Sequence, residues 1–161
     1  MSSDDDFTRR IRTVSRRVMR GFRPDALRQA RLNAGLSQTE IARVAKVGTG
    51  TVRRWEMGES SPQVDLLARV VEVLGVTIAD VVKVPEAERY PGDWRVLLGL
   101  TQPQLGAKAG VTTQIVSCVE RGVISLSDNV GERLSAALGI SEDELRAAHE
   151  RARNRPLGEP S

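Results

Sequence analysis

The sequence predicts an all-α protein of two consecutive five-helix domains behind a basic N-terminal arm. Three observations carry this prediction. The chain repeats itself at an offset of 64 residues, Leu36 falling on Leu100, with no gap. Its apolar residues are almost all aliphatic and fall at helical spacing, with only 3% aromatic residues beside 40% hydrophobic ones. Helix-capping signals recur at matching places in both copies.

The repeat sets the domain count. Leu36-Ser37-Gln38 aligns with Leu100-Thr101-Gln102, and Ala45, Val47, Thr49 and Val52 align with Ala109, Val111, Thr113 and Val116. Glu56 and Gly58 fall on Glu120 and Gly122; Arg69, Leu74 and Gly75 fall on Arg133, Leu138 and Gly139. Upstream, Arg31 and Gly35 fall on Arg95 and Gly99. A unit of about 60 residues is therefore duplicated, and two units are too few for a solenoid, so each needs its own core. The expected bounds are an arm over 1–21, a first domain over 22–82, a linker over 83–90, a second domain over 91–154 and a disordered tail over 155–161.

Each element has a local reason. Pro24 suits the first position of a helix that ends near Gly35. Ser37 with Glu40 three residues on is a capping box for the second helix. The third helix lies between Gly48 and Gly58. Ser61-Pro62 is expected to open the fourth, whose apolar face is Leu66, Leu67, Val70, Val71 and Leu74. Thr77 with Asp80 opens a short fifth. In the second unit Pro91 starts the first helix, Thr101 with Gln104 repeats the capping box, and Ser141 with Glu144 caps a longer last helix to about Arg153. The linker, bounded by Pro85 and Pro91, is short and expected to be stiff.

Composition excludes several functions. The single cysteine, Cys118, and single histidine, His149, rule out an internal disulfide and a Cys/His zinc site. No apolar run approaches the ~18 residues of a membrane span. The start lacks the pattern of a signal peptide. The protein is expected in the cytoplasm, at the nucleoid, with no metal, cofactor or small-molecule effector. Net charge is only +3, but of 24 basic residues all except Lys46, Lys83 and Lys108 are arginine. That bias fits a nucleic-acid partner; a GC-rich genome produces it equally well.

The motif is more specific. Leu36-Ser37-Gln38-Thr39-Glu40-Ile41-Ala42-Arg43-Val44-Ala45-Lys46-Val47, continued by Gly48-Thr49-Gly50-Thr51-Val52-Arg53-Arg54-Trp55-Glu56-Met57-Gly58, resembles the XRE-family helix-turn-helix, the fold of lambda-repressor and Cro-type phage or mobile-element repressors. The resemblance covers about residues 24–82 and recurs over about 91–146. It implies two lambda-repressor-like helix-turn-helix domains and double-stranded DNA as partner. The physical logic stands beside it. Ile41, Ala42, Ala45, Val47 and Val52 line the inward faces of two helices crossing at a tight turn, and Gly106 replaces Ala42 in the second unit. The third helix is thereby left proud of the surface, able to enter a major groove about 12 Å wide.

The resemblance also assigns positions. Gln38 and Gln102 begin the second helices, where the family contacts phosphate and braces the recognition helix. Base-reading positions match Gly48, Thr49, Gly50 and Arg54 in the first unit, and Thr112, Thr113, Gln114 and Cys118 in the second. Arg43, Thr51 and Arg53, and Ser117 in the second unit, complete the expected surface. Arg54 suits guanine and Gln114 adenine; the alternative for Arg54 is a solvated helix face. Cys118 reads as a half-buried inert thiol, the alternative being a redox sensor. Arg31 with Glu56 and Arg95 with Glu120 are expected as structural ion pairs. The alternative, catalytic acids, lacks a partner acid, nucleophile or metal ligand in the motif.

The units are not equivalent. The first carries Arg43, Lys46, Arg53 and Arg54 near its reading surface, the second only Lys108 and Arg121. After Gly122, Val123-Ile124-Ser125-Leu126 departs from the family's polar, proline-containing turn. In the arm, Arg9, Arg10, Arg12, Arg16, Arg17 and Arg20 alternate with Phe7, Ile11, Val14 and Val18 at helical spacing. This basic amphipathic helix has three readings: DNA contact, packing on the first domain, or an anionic membrane surface. No enzyme is expected: Gly48-Thr49-Gly50 lacks the third glycine and lysine of a phosphate loop. The expected function is a transcription repressor bound as a monomer to an asymmetric site or as a homodimer. The alternative is an antitoxin or adaptor whose second domain contacts protein.

Overall fold

A computed structural model describes residues 18–159. Their regular structure is helical: α1 (Pro24–Asn33), α2 (Gln38–Ala45), α3 (Thr49–Glu56), α4 (Val64–Leu74) and α5 (Ile78–Val81) form the first domain. After a 3-10 turn at Glu86–Glu88, α6 (Pro91–Leu97), α7 (Gln102–Ala109), α8 (Thr113–Arg121), α9 (Asp128–Leu138) and α10 (Glu142–Arg153) form the second. The expected basic helix of the arm, with Arg9, Arg10, Arg12, Arg16 and Arg17, lies outside the described residues.

The caps explain most helix starts. Pro24 and Pro91 occupy first-turn positions, where the missing N–H has no helical partner to lose. Thr101 and Gln104 form a full capping box: the Thr101 Oγ1 accepts from Gln104 N at 3.3 Å, and Gln104 Oε1 accepts from Thr101 N at 2.8 Å. Ser141 and Glu144 repeat it at 3.1 and 3.0 Å. Ser37 caps in one direction only, its Oγ accepting from Glu40 N at 3.1 Å. The start of α4 differs from expectation. Ser61 Oγ is taken by Met19 N at 2.6 Å, Pro62 is buried, and Gln63 is still extended (φ −80°, ψ 141°), so the helix begins at Val64.

Each domain encloses its own aliphatic core. Leu27, Ile41, Val52, Trp55, Leu67 and Val70 are almost fully buried in the first. Leu105, Val116, Val119, Leu134, Leu138 and Leu145 fill the second. Each such side chain contributes about 1.5–3 kcal/mol relative to exposure. The last helices differ most. Four-residue α5 is replaced by twelve-residue α10, which buries Leu145, Ala148, His149 and Ala152 and packs on α6, α8 and α9.

The ends of the described region and the linker depart from a string of independent pieces. Met19 packs on the first core, Lys83 N donates to Gly21 O at 2.9 Å, and Phe22 forms a single antiparallel bridge with Val82. Within the linker Val84 and Tyr90 are buried. Arg89 donates to Val84 O at 2.9 Å and stacks over Trp94 at 4.4 Å, while Arg151 of α10 donates to Arg89 O at 2.9 Å. Residues 155–159, expected to be disordered, instead turn back. Arg155 stacks on Tyr90 at 4.6 Å and donates to Glu120 O at 3.1 Å, and Glu159 accepts from the Tyr90 hydroxyl at 2.9 Å. Aromatic Tyr90, carrying a polar tip, gives the tail a place to dock.

Candidate nucleic-acid interface

The exposed third helix of each domain is held up by a tight turn. In the first domain Ile41, Ala42 and Ala45 of α2 face Val52 and Trp55 of α3, all buried. Small residues let the helix axes approach closely. Lys46 then reverses the chain in the left-handed region, φ 56° and ψ 47°, and Val47 N donates to Ala42 O at 2.9 Å. In the second domain Gly110 takes that place at φ 71°. Gly106 is packed more tightly than the turn alone demands: a Cβ there would stand 2.8 Å from Val111 O and 3.4 Å from Thr113 N.

The carbonyl that ends each second helix is capped from a distance. Arg69 of α4 donates to Lys46 O, and Arg133 of α9 donates to Gly110 O, both at 3.3 Å. Lone carbonyls at a helix end need such partners. These arginines align in the repeat, yet capping by a distant helix has no local sequence signature.

A buried ion pair fixes the far end of each reading helix. Arg31 grips Glu56 through two bonds, Nε to Oε2 and Nη2 to Oε1, each 2.8 Å, and donates a third to Leu36 O at 3.1 Å. Arg95 holds Glu120 through Nε alone, which donates to both carboxylate oxygens at 2.7 and 3.1 Å, and its Nη1 bonds Leu100 O at 2.8 Å. The Glu56 side chain is 2% exposed and that of Glu120 7%. The bonds to Glu56 hold the Arg31 guanidinium above its ordinary value, against the opposing effect of burial. Gln38 and Gln102 join these clusters, each amide donating to its glutamate at 3.3 Å. The second helix, the first helix and the end of the third are thus tied through one carboxylate in each domain.

The remaining sequence-assigned residues spread over the outer face. Gly48, Thr49, Gly50, Arg53 and Arg54 of the first domain are exposed, as is Arg43, while Thr51 is half-buried. Arg54 lies back along its own helix. Its Nη2 is 3.5 Å from Thr51 Oγ1, and a Cβ on Gly50 would meet Nη1 at 2.9 Å. Gly50 therefore leaves the space in which the guanidinium rests. In the second domain Thr112, Thr113 and Gln114 are exposed, and Ser117 and Cys118 half-buried. Thr112 is partly occupied as the α8 cap, its Oγ1 accepting from Ile115 N at 3.2 Å. Arg121 lies over this surface, donating to Ser117 O at 3.3 Å with its Nη2 3.5 Å from Cys118 Sγ. It belongs with the candidate set; its charge was visible in the sequence, its reach along the helix was not.

The electrostatics differ between the heads. Exposed Arg43, Lys46, Arg53 and Arg54 surround the first, against Lys108 and Arg121 for the second. Guanidinium groups match phosphate and base edges in a planar fork, and phosphate contacts supply much of DNA affinity. Among the described residues no group of three or more His, Cys, Asp or Glu is arranged to hold a metal ion. Among them, too, no helix is long and apolar enough to cross a membrane.

The geometry agrees with comparison against protein families. The helix-turn-helix family model matches twice, at residues 27–81 and 93–145, together more than half of the chain. No curated protein matches the chain. With the motif matched once in each domain and built on the same capped turn and buried ion pair, this chain belongs to the XRE-type helix-turn-helix family of DNA-binding transcription regulators, in tandem form.

Proposed function

We propose that the protein is a sequence-specific repressor that inserts α3 and α8 into the major groove of an asymmetric DNA site. The observation that carries this reading is the divergence of two outer faces on one scaffold. Gly48, Thr49, Gly50 and Arg54 stand where the other head has Thr112, Thr113, Gln114 and Cys118. Identical heads would ask for repeated half-sites; these ask for two different ones. The basic first head anchors through phosphate contacts, and the second adds discrimination. Arg54 reads a base, whereas Arg53 contacts backbone. Arg53→Ala therefore weakens binding to all sequences alike, while Arg54→Ala also relaxes preference at one position by ~1–3 kcal/mol. Footprinting on selected DNA tests the whole reading. A symmetric site covered by two chains would refute it, and equal losses on every sequence for both arginine variants would remove Arg54 as a reader.

One observation favours a second reading, in which only the first head touches DNA and the second binds protein, as in an antitoxin or adaptor. Val123 is 61% exposed and Ile124 stands beside it at the end of α8. Substituting Thr113 and Gln114 together by alanine separates the two. An altered base preference supports reading by the second head; an unchanged one supports the protein-contact role.

A further inference from the structure

The two heads meet through a face that each copy of the repeat uses differently. Val96 and Leu97 of α6 pack against the first domain's core, where Ile78 is buried and Ala68 partly so. Gly99, at φ 71°, sits at the closest approach: a Cβ there would stand 3.2 Å from Ala68 Cβ and 3.3 Å from Ile78 Cδ1. Its counterpart Gly35 has the same φ of 70° but nothing within 4 Å, and Leu32, the counterpart of Val96, is 50% exposed. On the receiving side the counterparts of Ala68 and Ile78 are Glu132 and Glu142, both exposed. On the receiving side the repeat therefore carries apolar, close-fitting residues only where the two domains touch, and glutamates where they do not. Polar ties flank the seam. Arg20 pairs with buried Asp93 of α6 and lies 4.1 Å over the Tyr90 ring.

We infer that this seam makes the two heads one rigid reader with a single accepted separation between half-sites, and that Gly99 is a positioning residue for DNA recognition. The inference rests on the proposal that both heads touch DNA. Inserting one base pair moves a half-site by about 3.4 Å and turns it by about 34°. Heads on a flexible linker absorb that change; heads joined across a packed seam do not, and the second contact is lost. Losing a tethered second contact lowers affinity by about tenfold or more.

The full-length chain tests this with two readouts. Backbone 15N relaxation reports whether the domains tumble together, without DNA. Binding to a series of sites differing by one or two base pairs in half-site separation reports the register. The expected result for the unaltered chain is one tumbling time and a loss of about tenfold or more for a one-base-pair change. Ala68→Glu, which copies the residue the second unit carries at that place, and Gly99→Leu are expected to give two faster tumbling times and a flattened spacing preference. Gly35→Leu carries the same backbone strain with no seam to disturb, and is expected to keep both properties, which separates misfolding from lost registration. Two tumbling times in the unaltered chain overturn the seam. One tumbling time with tolerance of altered spacing overturns the positioning role while leaving two-headed binding intact. A footprint confined to one half-site overturns the two-headed reading itself, and with it the register.

Discussion

Replacing Lys46 by glycine is expected to stabilise the fold and weaken DNA binding at once. Lys46 is the one non-glycine residue with positive φ among those described. The second unit solves the same turn with Gly110, at φ 71° and ψ 33°. A side chain in the left-handed region costs about 1–2 kcal/mol. Glycine removes that strain but has about 0.5–1 kcal/mol more unfolded-state entropy to lose. The balance leaves Lys46→Gly more stable by about 0.5–1 kcal/mol. The turn's bonds survive, because the acceptor for Arg69 is the Lys46 carbonyl and the bond at Ala42 O is made by backbone. The unfolding midpoint rises by about 1–4 °C. The lost ammonium is exposed. Removing one phosphate contact lowers the slope of log affinity against log salt by about 0.9. Thermal melting and a salt series of binding isotherms read the two effects separately. The reciprocal change, Gly110→Lys, is expected to lower the midpoint, with the end of Arg133, 2.8 Å from the new Cβ, forced to swing aside. A less stable Lys46→Gly would refute the strain argument, and an unchanged salt slope would remove Lys46 from the interface.

Three further outcomes follow from the same geometry. Arg31→Ala or Arg95→Ala leaves a buried glutamate without its counter-charge and is expected to cost about 3–5 kcal/mol in urea unfolding, against a far smaller loss if the pair were a surface one. Gly106→Ala improves helix propensity by up to about 1 kcal/mol, yet its Cβ meets the Val111 carbonyl, so a net destabilisation of about 1–2 kcal/mol is expected; a stabilised variant would show the turn to be loosely packed. Two carboxyls should titrate on opposite sides of the ordinary aspartate value of about 3.9. The Thr77 N–H, 2.7 Å away, holds Asp80 below it, so its contribution to stability is present above that value and lost as pH falls through the lowered one. Burial holds Asp93 above it despite the Tyr90 N–H and Arg20, so its contribution favours the fold in acid and is lost as pH rises through the raised value. Carboxyl-carbon NMR titration gives both, and Asp93 titrating below Asp80 would contradict the burial argument.

Much of the fold was legible because its signals are local. Pro24, Pro91, Thr101 with Gln104, and Ser141 with Glu144 mark helix starts by chemistry within one turn. Arg31 and Glu56 recur as Arg95 and Glu120, the family resemblance implied that they pair, and the geometry contains both pairs. What stayed hidden depends on distant partners. Ser61, expected to open α4, instead accepts from Met19, far back in the chain, and the helix starts at Val64. The tail looked disordered because nothing in Arg155–Glu159 announces Tyr90 as its dock. Capping by Arg69 and Arg133 crosses from one helix to another, and the approach of Gly99 to Ala68 crosses from one domain to the other. The candidate interface was legible as residues but not as conformations: Arg54 folded over Gly50, and Arg121 laid toward Cys118, come only from the fold.

Glu132 and Glu142 have a consequence beyond the single chain. A contact that joins one copy to the next by the same displacement closes only where its rotation completes a ring; otherwise, repeated, it builds a filament. This repeat would be at risk, since Leu32 remains uncovered at the front of the first unit. The matching rear surface of the second unit, however, presents two carboxylates where the first presents Ala68 and Ile78. Burying them against Leu32 would strip both charges of water, and of the two only Glu142 has a cation beside it, Arg146 at 3.9 Å. A further unit stacked in the same way would have to bury those charges, so the rear face of the second unit opposes the contact that the first unit's accepts.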